Sequence, residues 1–219
     1  MKRRLKGRLY VLLCVLLLLR LVVDGLPQEA LVLQLGSLGT LGAALVLSAA
    51  LAARSRRERV VLVALATLVV VAAATHDTDL LGRERFNPYA LASLLVFVAV
   101  CCVALLRDVL RHEGRVDVSL IAAGIAVYLL LAVVCAIAFR WIETMQPGSF
   151  RGVAEGNLWP PYYSVVVITT LGFGDITPVG SMARALTACE AIIGQLYVAI
   201  FIGRLVGLYL RDMEIAGDA

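Results

Sequence analysis

The stretch Pro160-Pro161-Tyr162-Tyr163-Ser164-Val165-Val166-Val167-Ile168-Thr169-Thr170-Leu171-Gly172-Phe173-Gly174-Asp175 decides how this chain is read. The two prolines suit the first turn of a helix, whose N–H groups have no internal partner. The apolar run from Tyr162 to Ile168 is far too short to cross a bilayer, which takes roughly 20 helical residues. It therefore reads as a re-entrant helix that enters a membrane and stops. Pro178 prevents helix from resuming soon after the glycines. Non-helical backbone at membrane depth is tolerated only where it is buried in protein or lines a watery cavity. Gly172 and Gly174 sit at alternate positions and permit left-handed backbone angles between ordinary residues. Alternating hand can aim successive carbonyls the same way, so that four such loops would stack rings of oxygens around an axis.

Around this core lies a polar insert from Glu143 to Gly180, with turn signals at Gln146-Pro147-Gly148-Ser149 and at Gly156-Asn157. Apolar runs flank it, Leu120–Ile142 before and Ala183–Leu210 after. Four more precede these, at Leu9–Val23, Leu31–Ala53, Val60–Thr75 and Tyr89–Leu106. Each can cross a hydrocarbon core of about 30 Å, the first and third by borrowing flanking residues. The last reaches about 40 Å at 1.5 Å per residue, so its end should project past the bilayer. The expected fold is an all-α membrane protein of six transmembrane helices plus the re-entrant helix and its loop. Residues 1–115 form a four-span unit, and residues 116–219 hold the last two spans with the insert between them.

Composition agrees. Hydrophobic residues make up 61% of the 219, against about 45–50% in soluble domains. The net charge is +4, and the Lys and Arg residues cluster mostly in short segments between apolar runs, which makes nucleic acid a poor partner and membrane lipid the expected one. The basic segments alternate. Lys2, Arg3, Arg4, Lys6 and Arg8 precede the first run. Arg54, Arg56, Arg57 and Arg59 follow the second, and Arg107, Arg111 and Arg115 follow the fourth. By the positive-inside rule both termini face the cytoplasm of a cell membrane. The basic N-terminus also resembles a signal peptide, but no small-residue cleavage pattern follows Val23, so a retained first span is expected. The five cysteines all lie in apolar runs and lack C-x-x-C spacing, as packing residues do.

Thr170-Leu171-Gly172-Phe173-Gly174 resembles the T-V-G-Y-G selectivity filter of potassium channels, and the resemblance extends over roughly residues 120–210. It implies a homotetramer conducting potassium ions, with no other cofactor. It further implies that the carbonyls of Thr170, Leu171, Gly172 and Phe173 coordinate the ion and that the Thr170 hydroxyl adds the innermost ring. Gly174 would then close the outer mouth. Asp175 would sit behind the filter, bonded to a neighbour such as Tyr163. Thr169 reads better as a helix-end hydroxyl bonded back to a carbonyl. Two departures stand out. Phe173 lacks the hydroxyl of the usual Tyr. Val166 occupies the place where some members carry a Glu paired with the filter Asp, so inactivation of the filter should differ from theirs.

Within the last span, Gly194 is a candidate hinge or a close-packing site, and Glu190 should face protein rather than lipid. Ile202 and Val206, four residues apart, form either an apolar gate or a packing face. Arg204 is expected at the cytoplasmic boundary. The run Tyr89–Leu106 contains no Lys or Arg, so conventional voltage sensing is not expected. A non-selective cation channel is the nearest alternative. A transporter would show paired broken helices in repeated halves, and only one broken element is present. No H-E-x-x-H, G-x-S-x-G or phosphate loop suggests an enzyme.

Overall fold

The computed structural model describes residues 2–24, 42–51, 88–112, 114, 116–153 and 159–217. Helix α1 covers Lys2–Asp24, and Gly42–Leu51 is a shorter apolar helix, α2. Helix α3 covers Pro88–Leu110 and α4 covers Val118–Met145. The short α5 covers Trp159–Ile168 and α6 covers Ser181–Gly217. Among the described residues, three helices are long and apolar enough to cross a membrane: α3, α4 and α6. The expected third span, Val60–Thr75, and the first part of the second lie outside the described residues, as does the Gly156-Asn157 turn.

Local chemistry sets the helix ends. Asp117 caps α4, its carboxylate accepting from the Leu120 N–H at 2.9 Å, which satisfies one of the orphan donors of a first turn. Pro147 and the left-handed Gly148 (φ 85°) stop α4. Glu143 then holds the turn, its two carboxylate oxygens accepting from Gly148 N–H at 2.8 Å and Phe150 N–H at 3.2 Å.

The insert is not purely helical and irregular. Residues Phe150–Arg151 (β1) pair antiparallel with Thr177–Pro178 (β2), in the register Phe150 with Pro178 and Arg151 with Thr177. Ser149 extends the junction, its carbonyl accepting from Val179 and Gly180 N–H at 2.8 and 3.0 Å. This small ladder clamps the end of α4 to the start of α6, so the chain between them must fold back as a closed unit.

Among the described residues, two apolar cores result. One is built by α1, α2, α3 and α4 around Leu13, Leu45, Val98, Leu105, Val127 and Leu130. The other lies under the insert and is largely aromatic, with Phe139, Phe150, Trp159 and Tyr163 in mutual contact at centroid distances of 4.8–6.5 Å. Such edge-to-face and tilted rings fix α5 at a definite angle against α4. Helix α6 is less covered: 11% of its apolar window is buried, against 50% for α4.

Candidate functional site

The last turn of α5 carries the site. A helix leaves its four final carbonyls without internal partners, and here every one is accounted for. The Val165 carbonyl accepts from the Thr169 N–H at 3.1 Å and the Thr169 hydroxyl at 2.6 Å. The Val166 carbonyl accepts from Leu171 N–H at 3.0 Å, and Val167 from Thr170 N–H at 2.9 Å. The Ile168 carbonyl accepts from the Tyr128 hydroxyl of α4 at 2.9 Å.

The middle two bonds form the Schellman pattern, whose C′ residue takes a left-handed conformation. That residue is Thr170, at φ 61°, the one non-glycine residue of positive φ among the described residues. Gly172 (φ 59°) and Gly174 (φ 78°) repeat the left-handed turn at every second position. The alternation foreseen for the two glycines thus begins one step earlier, at a β-branched residue that resists it.

Beyond this cap the backbone changes character. Among the described residues, the carbonyls of Thr170, Leu171, Gly172, Phe173 and Gly174 accept no hydrogen bond. The helix-end carbonyls are all taken, whereas this consecutive row is open to water or a cation from outside the chain. The loop is also exposed on the single chain, with Leu171 at 57% and Phe173 at 64%. The C-terminal half-charge of the α5 dipole lies at this end of the helix, beside the row.

Asp175 ends the row. Its Oδ2 accepts from the Tyr162 hydroxyl at 2.6 Å, and its Oδ1 accepts from the Ile176 N–H at 3.0 Å. The Tyr162 hydroxyl, and secondarily the N–H groups around it, hold the Asp175 carboxyl below its usual range. The expected partner, Tyr163, is one residue out. It lies about 100° further round α5, inside the aromatic core, and its hydroxyl meets Thr187 of α6 at 2.9 Å. Val166 is buried, and it contributes through its backbone carbonyl.

The helix α6 supports α5 from behind. Gly194 lies against Ile168: a Cβ there would stand 2.6 Å from Ile168 Cγ1 and 2.9 Å from its carbonyl oxygen. Glu190 is 1% exposed and bonded to Ser164 of α5, in keeping with a residue that faces protein. Tyr197 stacks between Tyr128 and Phe201 at 5.9 Å from each, and its hydroxyl reaches the Gly124 carbonyl at 2.7 Å. Ile202 and Val206 are exposed on the uncovered part of α6. Arg204 donates to the His112 carbonyl at 2.6 Å, tying α6 to the loop between α3 and α4.

Sequence reasoning did not find Tyr128, Tyr197 or Thr187. The signal available was a hydroxyl-bearing ring or Thr in the middle of an apolar run, which in a membrane must find a partner on another helix.

The site is thus a helix-end loop whose carbonyls accept no bond among the described residues, held between two helices long and apolar enough to cross a membrane. Residues 161–211 match the family model described as Ion channel. The chain is also 28% identical over 109 residues to "Inward rectifier potassium channel Kirbac3.1" of Paramagnetospirillum magnetotacticum. That match covers 48% of this chain and 34% of the relative, so the chain spans about a third of the relative's length. Both matches are to ion channels, and neither spans half of this chain. No solved structure matches it.

Proposed function

We propose that this protein is a subunit of a potassium-selective channel in which four copies arrange the loop Thr170–Gly174 around one axis. The observation that carries the reading is the free carbonyl row placed after a fully capped helix end, with the backbone hand alternating at Thr170, Gly172 and Gly174. Carbonyls of Thr170, Leu171, Gly172 and Phe173, with the Thr170 hydroxyl, replace the hydration shell of a bare potassium ion. One chain supplies one row, and a closed cyclic oligomer supplies the ring. The uncovered apolar length of α6 and the exposed Leu171 and Phe173 give such an assembly its contact surface.

The channel lies in the cell membrane with both termini in the cytoplasm, as the Arg and Lys segments direct. Residues 116–219 form the pore unit. Residues 1–115 form a collar that senses no voltage, because the run Tyr89–Leu106 lacks basic residues. Ile202 and Val206 close the inner end by dewetting.

The second reading, a non-selective cation channel, draws on one observation. Phe173 has no hydroxyl, and Tyr163 directs its own to Thr187 rather than to the loop, so the filter has fewer braces against widening.

Flux of potassium into liposomes holding the purified protein tests the function. Barium-sensitive uptake that sodium does not share supports the selective channel. Uptake of both cations favours the second reading.

A further inference from the structure

The Ser164 hydroxyl of α5 makes two bonds that one proton cannot serve. Its Oγ lies 2.7 Å from the Ala132 carbonyl of α4, and it also contacts Oε1 of Glu190 on α6. A hydroxyl has one proton to give, and a backbone carbonyl can only accept. If Ser164 donates to Glu190, an oxygen–oxygen contact of hydrogen-bond length is left at Ala132 with no proton between the atoms. If Ser164 donates to Ala132, the proton between Ser164 and Glu190 must come from Glu190.

The surroundings favour the second assignment. Glu190 lies ten residues into α6, roughly 15 Å from its start, where a lone charge is costly. Its Oε2 accepts no close hydrogen bond among the described residues, and the Cys135 thiol, which reaches the carboxyl as a weak donor, satisfies a neutral carboxyl oxygen more easily than a carboxylate. The titratable groups around it are Cys135 and Tyr128 on α4 and Tyr163 on α5, with Cys189 beside it on α6. These are thiols and phenols rather than cations or carboxylates, and no described Lys or Arg bonds it.

We propose that Glu190 holds a proton and donates it to Ser164, and that this proton completes a chain of hydrogen bonds from α6 through α5 to α4 which sets the position of the filter-bearing helix. Removing the proton forces the Ser164 hydroxyl to turn toward the new carboxylate and to leave the Ala132 carbonyl. The link to α4 then opens while the link to α6 stays. Glu190 is thus a positioning residue, 26 residues along the chain from Ser164, and it touches no ion. Its effect on conduction rests on the channel reading, whereas its protonation does not.

Two readouts separate these. The infrared difference spectrum of purified wild type against Glu190→Gln at neutral pH should lose the carbonyl stretch of one protonated carboxylic acid, and Ser164→Ala should shift that band. Potassium flux of the wild type should change as external pH rises far enough to remove the band. Flux of Glu190→Gln, whose amide donates to Ser164 as the acid does and never ionises, should lose that alkaline response and keep the neutral rate. If Glu190→Gln removes no protonated-acid band, the proton assignment is overturned. If the band is lost yet Glu190→Gln keeps the wild-type alkaline response, the positioning role is overturned. A protein that carries the band and conducts no cation would overturn the channel reading while leaving the proton in place.

Discussion

The Tyr162 hydroxyl donates to Asp175 Oδ2 across 2.6 Å, and that bond fastens the first turn of α5 to the residue that ends the carbonyl row. Both chain ends of the loop are therefore held by the same ten-residue helix, Thr170 through the Schellman cap and Asp175 through Tyr162. A loop fixed at both ends by one rigid element can keep oxygens at a set spacing without an internal hydrogen-bond ladder.

This bond has a pH signature. Asp175 has its carboxyl held below the ordinary range, first by Tyr162. Its folded value is below its unfolded value, so the stabilisation is fully present above the unfolded value and disappears as pH falls through the folded one. Tyr162→Phe should move the onset of acid loosening upward, toward the ordinary value of about 4. Flux inactivation followed against external pH in wild type and Tyr162→Phe checks this. An unmoved acid limb would contradict it.

Glycines on α6 should divide by position. Gly194→Ala drives a methyl into Ile168 and its carbonyl, so it should destabilise by about 1–3 kcal/mol, as overpacking does. Gly203→Ala and Gly207→Ala meet nothing within 4 Å in their own chain and should cost less than Gly194→Ala. Thermal melting in detergent distinguishes the two groups. Equal behaviour would argue that Gly194 serves hinge motion rather than close packing.

Thr170 combines a strained backbone with a useful hydroxyl. Thr170→Gly should relieve strain of about 1–2 kcal/mol, partly offset by the greater freedom of glycine in the unfolded chain. The same variant removes the innermost oxygen ring and should weaken discrimination between potassium and sodium. Stability retained with selectivity reduced is the expected pair of results, read by melting and by ion competition.

Tyr128→Phe leaves the Ile168 carbonyl without its partner. The loss should be about 1–3 kcal/mol, the range for a buried acceptor left unpaired. Denaturation of the assembled protein measures it. Tyr128→Phe melting like wild type would show that another donor serves that carbonyl.

Much of this was legible before any coordinates. The length of Tyr162–Ile168, the alternate glycines and the flanking apolar runs pointed to a short helix ending in a loop, and a short helix with left-handed turns after it is what forms. Asp175 was legible as a bracing residue, yet its partner was misplaced by one position. Tyr162 and Tyr163 are chemically identical, and only the aromatic core decides which of them turns inward. The left-handed Thr170 was missed because the demand for that conformation comes from the helix cap, not from the residue. The two-residue ladder between Phe150–Arg151 and Thr177–Pro178 has no periodicity to read, being set by the closure of the insert.

The most direct test of the central claim is the reversal potential of purified protein in planar bilayers with potassium on one side and sodium on the other. A reversal close to the potassium equilibrium value, with current blocked by barium, is the predicted result. A reversal near zero with sustained current would contradict a potassium-selective row of carbonyls at Thr170–Phe173.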